Sequence, residues 1–213
     1  MAEKRRLLMF RRSPNSIKVR IALHVKGLEY EAQEMMAADR RPMLEAAGWP
    51  LVPILIDGRV VMRDSAAILH YLEANYRDTT LLTPTEYDDI RSGERIVSVL
   101  KPEFLAIQGP LNDEIRKPEA ERDPAKAAEA RRAVIAALGR LEDRLASQPW
   151  LVGDAMSLYD VILASDLLPI RPPAVFAEQS PIWSYFDANL RIDEERPKVT
   201  AWVGRVVAHD GLA

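Results

Sequence analysis

The chain has 213 residues, 48% of them hydrophobic and 29% charged, with a formal net charge of -3. That is room for one large or two small domains, and too apolar for a chain that stays disordered. It contains no cysteine, which excludes a disulfide framework, a thiolate metal site and a cysteine nucleophile, so any thiol chemistry must use a borrowed thiol.

The opening MAEKRRLLMF has a basic stretch without the apolar region of a secretory leader, and the sequence has no apolar run long enough for a membrane span. The expectation is a cytoplasmic protein with no membrane or nucleic-acid partner. Lys4, Arg5, Arg6, Arg11, Arg12, Lys18 and Arg20 crowd the first twenty positions, but only Phe10 is interleaved with them, which does not suit a nucleic-acid surface. They read as solvated charges flanking a buried strand, with attraction of an anionic ligand as the alternative.

In chain order, RLLMFR at 6–11 is a short apolar run bounded by charges, and predicts a strand. SPNS then supplies turn and helix-start residues, IKVRIALHVK repeats apolar groups at helical spacing, and Gly27 stops the helix. Leu28 to Met35 suits a second strand, and DRRPMLEAAG a short helix or irregular crossing. VPILIDGRVVMR holds two β-branched runs around Asp57-Gly58, which predicts a hairpin with a type I′ turn centred on that pair. Asp64-Ser65 then starts a helix whose Ala67, Ile68, Tyr71 and Leu72 share one face. The order β-α-β-α-β-β-α is complete by about residue 76.

A polar, proline-punctuated linker is expected over 78–87, dividing an α/β domain at 1–77 from an all-helical one at 88–213. Helices are predicted at 88–116, bent or broken at Pro102 and Pro110, and at 125–147, where Ala130, Val134, Ala137, Leu138, Leu141 and Leu145 form one stripe. In MSLYDVILASDLL, Ser157 is placed as N-cap with Asp160 three residues on, and Met156 is positioned to staple onto Val161. A last helix is expected from Pro197. His24, His70 and His209 show no ligand spacing, and no metal site is assigned.

Four features, in this order along the chain, resemble the cytosolic glutathione transferases: SPNSIKVRIAL after the first strand, Val52-Pro53 opening a strand, Asp64-Ser65 at a helix start, and the capping box at Ser157 and Asp160. The resemblance implies a thioredoxin-like α/β domain that binds glutathione, followed by an all-α domain. Ser13 falls on the serine position of the zeta, theta and delta classes, and Asn15 on the asparagine of the bacterial nu-like class. Both are candidate catalytic donors to a glutathione thiolate. A hydroxyl donor and a helix N-terminus each stabilise a neighbouring anion. A plain helix cap at Ser13, Asn15 and Ser16 is the competing reading.

In the family this proline is cis, the valine backbone pairs with the cysteinyl part of glutathione, and the residues at Asp64 and Ser65 take its γ-glutamyl end. No tyrosine precedes Tyr30 and cysteine is absent, so the tyrosine-, beta- and omega-type routes do not apply. Trp49-Pro50 stand where many members carry Lys or Gln for the glycine carboxylate, and Arg40 or Arg41 is the proposed substitute. The small residue that usually precedes the capping-box Asp is here Tyr159.

Second-substrate candidates are Leu105, Gln108 and Leu111, with Trp183 and Phe186, which helical core packing would explain equally well. The implied activity is transfer of glutathione to a small hydrophobic electrophile by a homodimer. A non-catalytic relative that binds partners and a zeta-like glutathione-dependent isomerase stay open.

Overall fold

The computed structural model describes residues 5–212; Lys4 of the basic cluster lies outside them. The described residues fall into two compact units, one of residues 5–83 joined by 206–212, the other of residues 84–205.

The first unit is built on a four-stranded mixed sheet of order β2-β1-β3-β4. The elements run β1 (Arg6–Met9), α1 (Pro14–Val25), β2 (Glu31–Glu34), α2 (Arg41–Ala47), β3 (Ile54–Asp57), β4 (Val60–Arg63) and α3 (Ser65–Asn75). β1 pairs parallel with β2 and antiparallel with β3, and β3 pairs antiparallel with β4. Because alternate side chains leave opposite faces of a strand, buried Leu7, Leu8 and Met9 divide between two layers. Leu8 and its partner Ile54 meet Met43 of α2. On the other face, the Met9 sulfur accepts from the guanidinium of Arg20 on α1 at 3.2 Å, and α1 packs with α3. Burial of Leu7, Leu8 and Met9 on both faces of β1 explains its continuous apolar run.

Two sequence expectations change here. The hairpin loop is Gly58-Arg59, since Asp57 pairs with Val60. Gly58 alone takes a positive φ, +58°, whereas a type I′ turn needs two such residues; the turn lies one position further on and Asp57 stays in the strand. The basic cluster is also only partly solvated. Lys18 and Arg20 are 1% and 0% exposed; two apart on the helix, they face nearly opposite ways, and both are buried because α1 is enclosed on all sides from Ser16 to Leu23. Arg20 is paired with Asp210 through Nε at 2.7 Å and through a second nitrogen, and donates to the Arg11 carbonyl at 2.9 Å. This ion pair ties residues 206–212 to the first unit.

The second unit is helical: α4 (Tyr87–Ile115), α5 (Pro124–Ala137), α6 (Gly139–Ser147), α7 (Leu158–Asp166), α8 (Ala174–Gln179), α9 (Pro181–Leu190) and most of α10 (Pro197–Val207), with single 3₁₀ turns at Glu119–Glu121 and Leu168–Ile170. α4 runs unbroken through Pro102 and Pro110, so of the expected bend or break the break does not occur. Buried Phe104 and Leu111 lie beyond each proline and hold the helix where it packs with α5 and α7.

The helix expected over 125–147 divides at Leu138. The Ile135 carbonyl, which would accept from the Gly139 N–H in a continuous helix, accepts from Arg196 Nε at 2.9 Å. The break is thus made by a side chain distant in sequence. At the start of α7 the capping box is complete: Asp160 carboxylate oxygens accept from the Ser157 N–H at 2.9 Å, and the Ser157 hydroxyl accepts from the Asp160 N–H. Asp160 also accepts from the Leu151 N–H at 2.9 Å and from Trp202 Nε1 at 2.8 Å. Burial pushes its carboxyl above the ordinary range, and these hydrogen bonds offset only part of that.

Candidate functional site

The start of α1 is open. Ser13 occupies the N-cap position with extended backbone (φ -77°, ψ 123°), but its side chain takes none of the helix N–H groups. Pro14 follows at the first helical turn, where its missing N–H is not needed. The leading N–H groups of a helix have no intrahelical partners, so this end keeps its donors and its partial positive charge. Capping by Ser13 is therefore not what the structure has. Ser16 instead turns inward, where its Oγ accepts from the Phe10 N–H at 3.4 Å.

Two further chain segments reach this helix end. Val52-Pro53 is joined by a cis peptide bond at the entry to β3. Asp64 is the N-cap of α3, its carboxylate accepting from the Ala67 N–H at 3.0 Å. The φ of Asp64 is +74°, a region that costs a non-glycine residue of order 1–3 kcal/mol and persists only where neighbours over-determine it. Buried Ser65, the first residue of α3, directs its hydroxyl to Asn15 Oδ1 at 3.3 Å.

Asn15, Val52, Pro53, Asp64 and Ser65 line one cavity of about 260 Å³, together with Trp49, Leu51 and Arg63. Sequence reasoning thus assembled five of its lining residues from three separate segments. Ser13 is half-buried and is not part of this lining; of the two candidate donors, it is Asn15 that faces the cavity.

Arg40 and Arg41 are directed elsewhere. Arg40 donates to the Pro50 carbonyl at 3.2 Å and lies over the Phe10 ring at 5.2 Å. Arg41 grips Asp39 through Nε at 3.0 Å and a second nitrogen at 2.8 Å, on a side chain 82% exposed. The cation in the lining is Arg63, its guanidinium 5.1 Å over the ring of Trp49. The sequence signal for it was adjacency: Arg63 directly precedes Asp64, and Trp49 precedes Pro50. Lys18 was also missed as a site residue. Its ammonium donates to Asn15 Oδ1 at 2.9 Å, and the three-residue spacing on a helix gave the warning.

The second-substrate candidates divide by burial. Leu111 is 0% exposed and belongs to the helical core, so that candidate is withdrawn; the helical period that singled it out is the one that buries it. Trp183 and Phe186 are buried against one another, ring centroids 5.9 Å apart, with Phe176 5.7 Å from Trp183. Leu105 is exposed and Gln108 half-buried. Among the described residues, no group of three or more His, Asp or Glu side chains is placed to hold a metal ion, and no helix is long and apolar enough to cross a membrane.

A mixed four-stranded sheet with a cis proline at the entry of its third strand, followed by an all-helical unit, defines a protein with a thioredoxin-like domain and a helical C-terminal domain. Comparison with known proteins makes this specific. Residues 7–80 match the glutathione S-transferase N-terminal domain, and residues 124–205 match the glutathione S-transferase C-terminal domain.

Glutathione S-transferase Z2 of Arabidopsis thaliana is 31% identical over 175 residues, covering 77% of this chain and 75% of the relative. The probable glutathione S-transferase parA of Nicotiana tabacum is 28% identical over 200 residues, covering 92% and 81%. Among solved structures, the theta class glutathione S-transferase of Xanthomonas axonopodis pv. citri, with glutathione bound, superposes with a TM-score of 0.74 at 25% identity, over 100% of this chain and 99% of that one. The chain belongs to the glutathione S-transferase family of enzymes.

Proposed function

We propose that the protein binds glutathione in the cavity beside Pro53 and presents its sulfur, as thiolate, to a small hydrophobic electrophile. The observation that carries this is the convergence of Asn15, Val52-Pro53 and Ser65 on one cavity at an uncapped helix end. In this reading the backbone of Val52 pairs with the cysteinyl portion like an added strand. Ser65 and the first N–H groups of α3 take the γ-glutamyl carboxylate, and Asp64 lies near its amine. Arg63, stacked on Trp49, takes over the glycine-carboxylate role first given to Arg40 or Arg41. Leu105 and Gln108 remain candidates for the electrophile, and the active species is a cytoplasmic homodimer.

A free thiol titrates near 8.5, so full ionisation at neutral pH needs a fall of about two units, or roughly 2.7 kcal/mol. A charge-assisted hydrogen bond supplies about 1.5–3 kcal/mol, and the helix end about 0.3–1 kcal/mol more. Those two contributions suffice. Asn15 is the principal donor because it borders the cavity, and Ser13 assists.

The test is glutathione titration by calorimetry, followed by turnover of a chlorodinitrobenzene electrophile. Asn15→Ala should lower turnover by about 10- to 150-fold, the equivalent of the hydrogen bond lost, with a smaller loss for Ser13→Ala. A larger loss for Ser13→Ala moves the principal role to Ser13. A wild-type protein that does not bind glutathione overturns the reading.

A further inference from the structure

Lys18 is a charged side chain only 1% exposed on α1, and among its partners is the Asn15 side-chain oxygen, 2.9 Å from its Nζ. An ammonium has donors and no acceptor, so the Asn15 atom it meets must be the oxygen and not the nitrogen. The Ser65 hydroxyl lies 3.3 Å from that same oxygen. With both contacts on Oδ1, the amide cannot turn over without setting N–H against N–H, and Nδ2 is left as the group Asn15 offers to the cavity it lines. A flipped amide would present its oxygen, which repels a thiolate where an N–H stabilises it.

The two contacts on Oδ1 are not equivalent. Ser65 has a single hydroxyl proton; once it donates to an incoming carboxylate, it no longer donates to Asn15. The ammonium of Lys18 has three donors and a place inside the fold, so its hold on Oδ1 survives ligand binding.

Resting on the glutathione-binding reading above, we infer that Lys18 is a positioning residue. It fixes the Asn15 amide with its N–H toward the substrate sulfur, and acts on thiol ionisation through Asn15. Lys18 touches no substrate atom in this arrangement. A buried lysine at this place is otherwise an expensive choice, since desolvating an ammonium is unfavourable unless it is paired and hydrogen-bonded.

The experiment compares wild type, Lys18→Met, Lys18→Arg, Asn15→Ala and the double variant Asn15→Ala/Lys18→Met in glutathione binding and in the pH profile of kcat/KM. Lys18→Met should move the thiol midpoint of that profile upward by about one unit, the size of shift expected when a hydrogen bond to the charged form is no longer held in place. Lys18→Arg, which can still donate to Oδ1, should retain most activity and the wild-type midpoint. The double variant should be no slower than Asn15→Ala, because a residue that acts only through Asn15 has nothing left to act on. Where Lys18→Met does not fold, Lys18→Gln, which keeps N–H donors but no charge, replaces it: a midpoint near the wild-type value is expected, and a rise of about one unit would show that the charge acts directly and overturn the inference.

An unchanged midpoint in Lys18→Met, or independent losses that multiply in the double variant, overturns the inference while leaving glutathione activation by Asn15 intact. Loss of the parent reading has a different signature: no glutathione binding by wild type, or Asn15→Ala as fast as wild type.

Discussion

Replacing Gly93 by alanine puts two physical effects of opposite sign in competition, and the structure says which should win. Alanine is favoured over glycine in a helix interior by about 1 kcal/mol, so on α4 alone the substitution would stabilise. In the folded unit, a Cβ on Gly93 would lie 2.1 Å from Tyr159 Cδ2 and 2.5 Å from Cε2 and Cγ. Carbon atoms rest about 3.5–4.0 Å apart, so the ring would have to retreat by roughly 1.5 Å. Tyr159 is buried on α7, and the overlap reaches Cγ at the base of its ring, which a turn of the side chain's far end does not relieve. Inserting a group into such a site costs about 1–3 kcal/mol, occasionally more, and an overlap this deep lies at the upper end.

The expected net change is a destabilisation of about 2 kcal/mol, read as a fall in melting temperature of about 4–8 °C. Thermal unfolding of Gly93→Ala, Tyr159→Ala and the double variant forms a cycle. Each single change should destabilise, and the double should be less unstable than their sum by roughly 1–2 kcal/mol, since the new methyl group fills part of the space the ring leaves. A Gly93→Ala protein that melts at or above the wild-type temperature, or a strictly additive cycle, would refute the close approach of α4 and Tyr159.

Two further outcomes concern the helical unit. Asp160→Ala removes the acceptor for the N–H groups of Leu151 and Ser157, the Ser157 hydroxyl and the Trp202 indole; leaving buried donors unsatisfied should lower stability by on the order of 4 kcal/mol, seen as a lower urea midpoint, and a midpoint near wild type would contradict the network. Glu114 carries part of the pH dependence, beside Asp39, Glu73 and Glu195, whose carboxyls are also held below the ordinary range by their partners. Its carboxylate accepts from Lys117 Nζ at 2.7 Å, Lys126 Nζ at 2.8 Å and the Asp123 N–H at 3.0 Å, and these contacts hold its carboxyl down at about 2. An ordinary glutamate titrates near 4.3, so the unfolded chain binds this proton first on acidification. The stabilisation is complete above about pH 5 and drains away as the pH falls toward about 2. Glu114→Gln should flatten the stability profile in that window, and parallel profiles for the two proteins would show the contact to be without effect.

The sequence by itself determined those features that depend on near neighbours along the chain. Short apolar and β-branched runs marked strands, Pro197 and the Ser157-Asp160 box marked helix starts, and the short motifs at Asn15, Val52-Pro53 and Asp64-Ser65 marked three walls of one cavity. The strands and helix starts follow local rules of backbone geometry and capping, readable without knowing what lies across the fold; the cavity motifs were legible as one site through the resemblance to a known family.

Tertiary structure decided what depends on atoms brought in from far away. The division of the helix at Leu138 needs Arg196, the burial of Arg20 needs Asp210, and the continuity of α4 through two prolines needs its packing partners. The same holds at the site: which cation borders the cavity, Arg63 and not Arg40 or Arg41, and which way the Asn15 amide faces, follow from contacts at Trp49, Lys18 and Ser65. A pattern of residue types records that a polar group is present. Only the packed fold fixes its partner, and for a buried donor or acceptor the partner sets its chemistry.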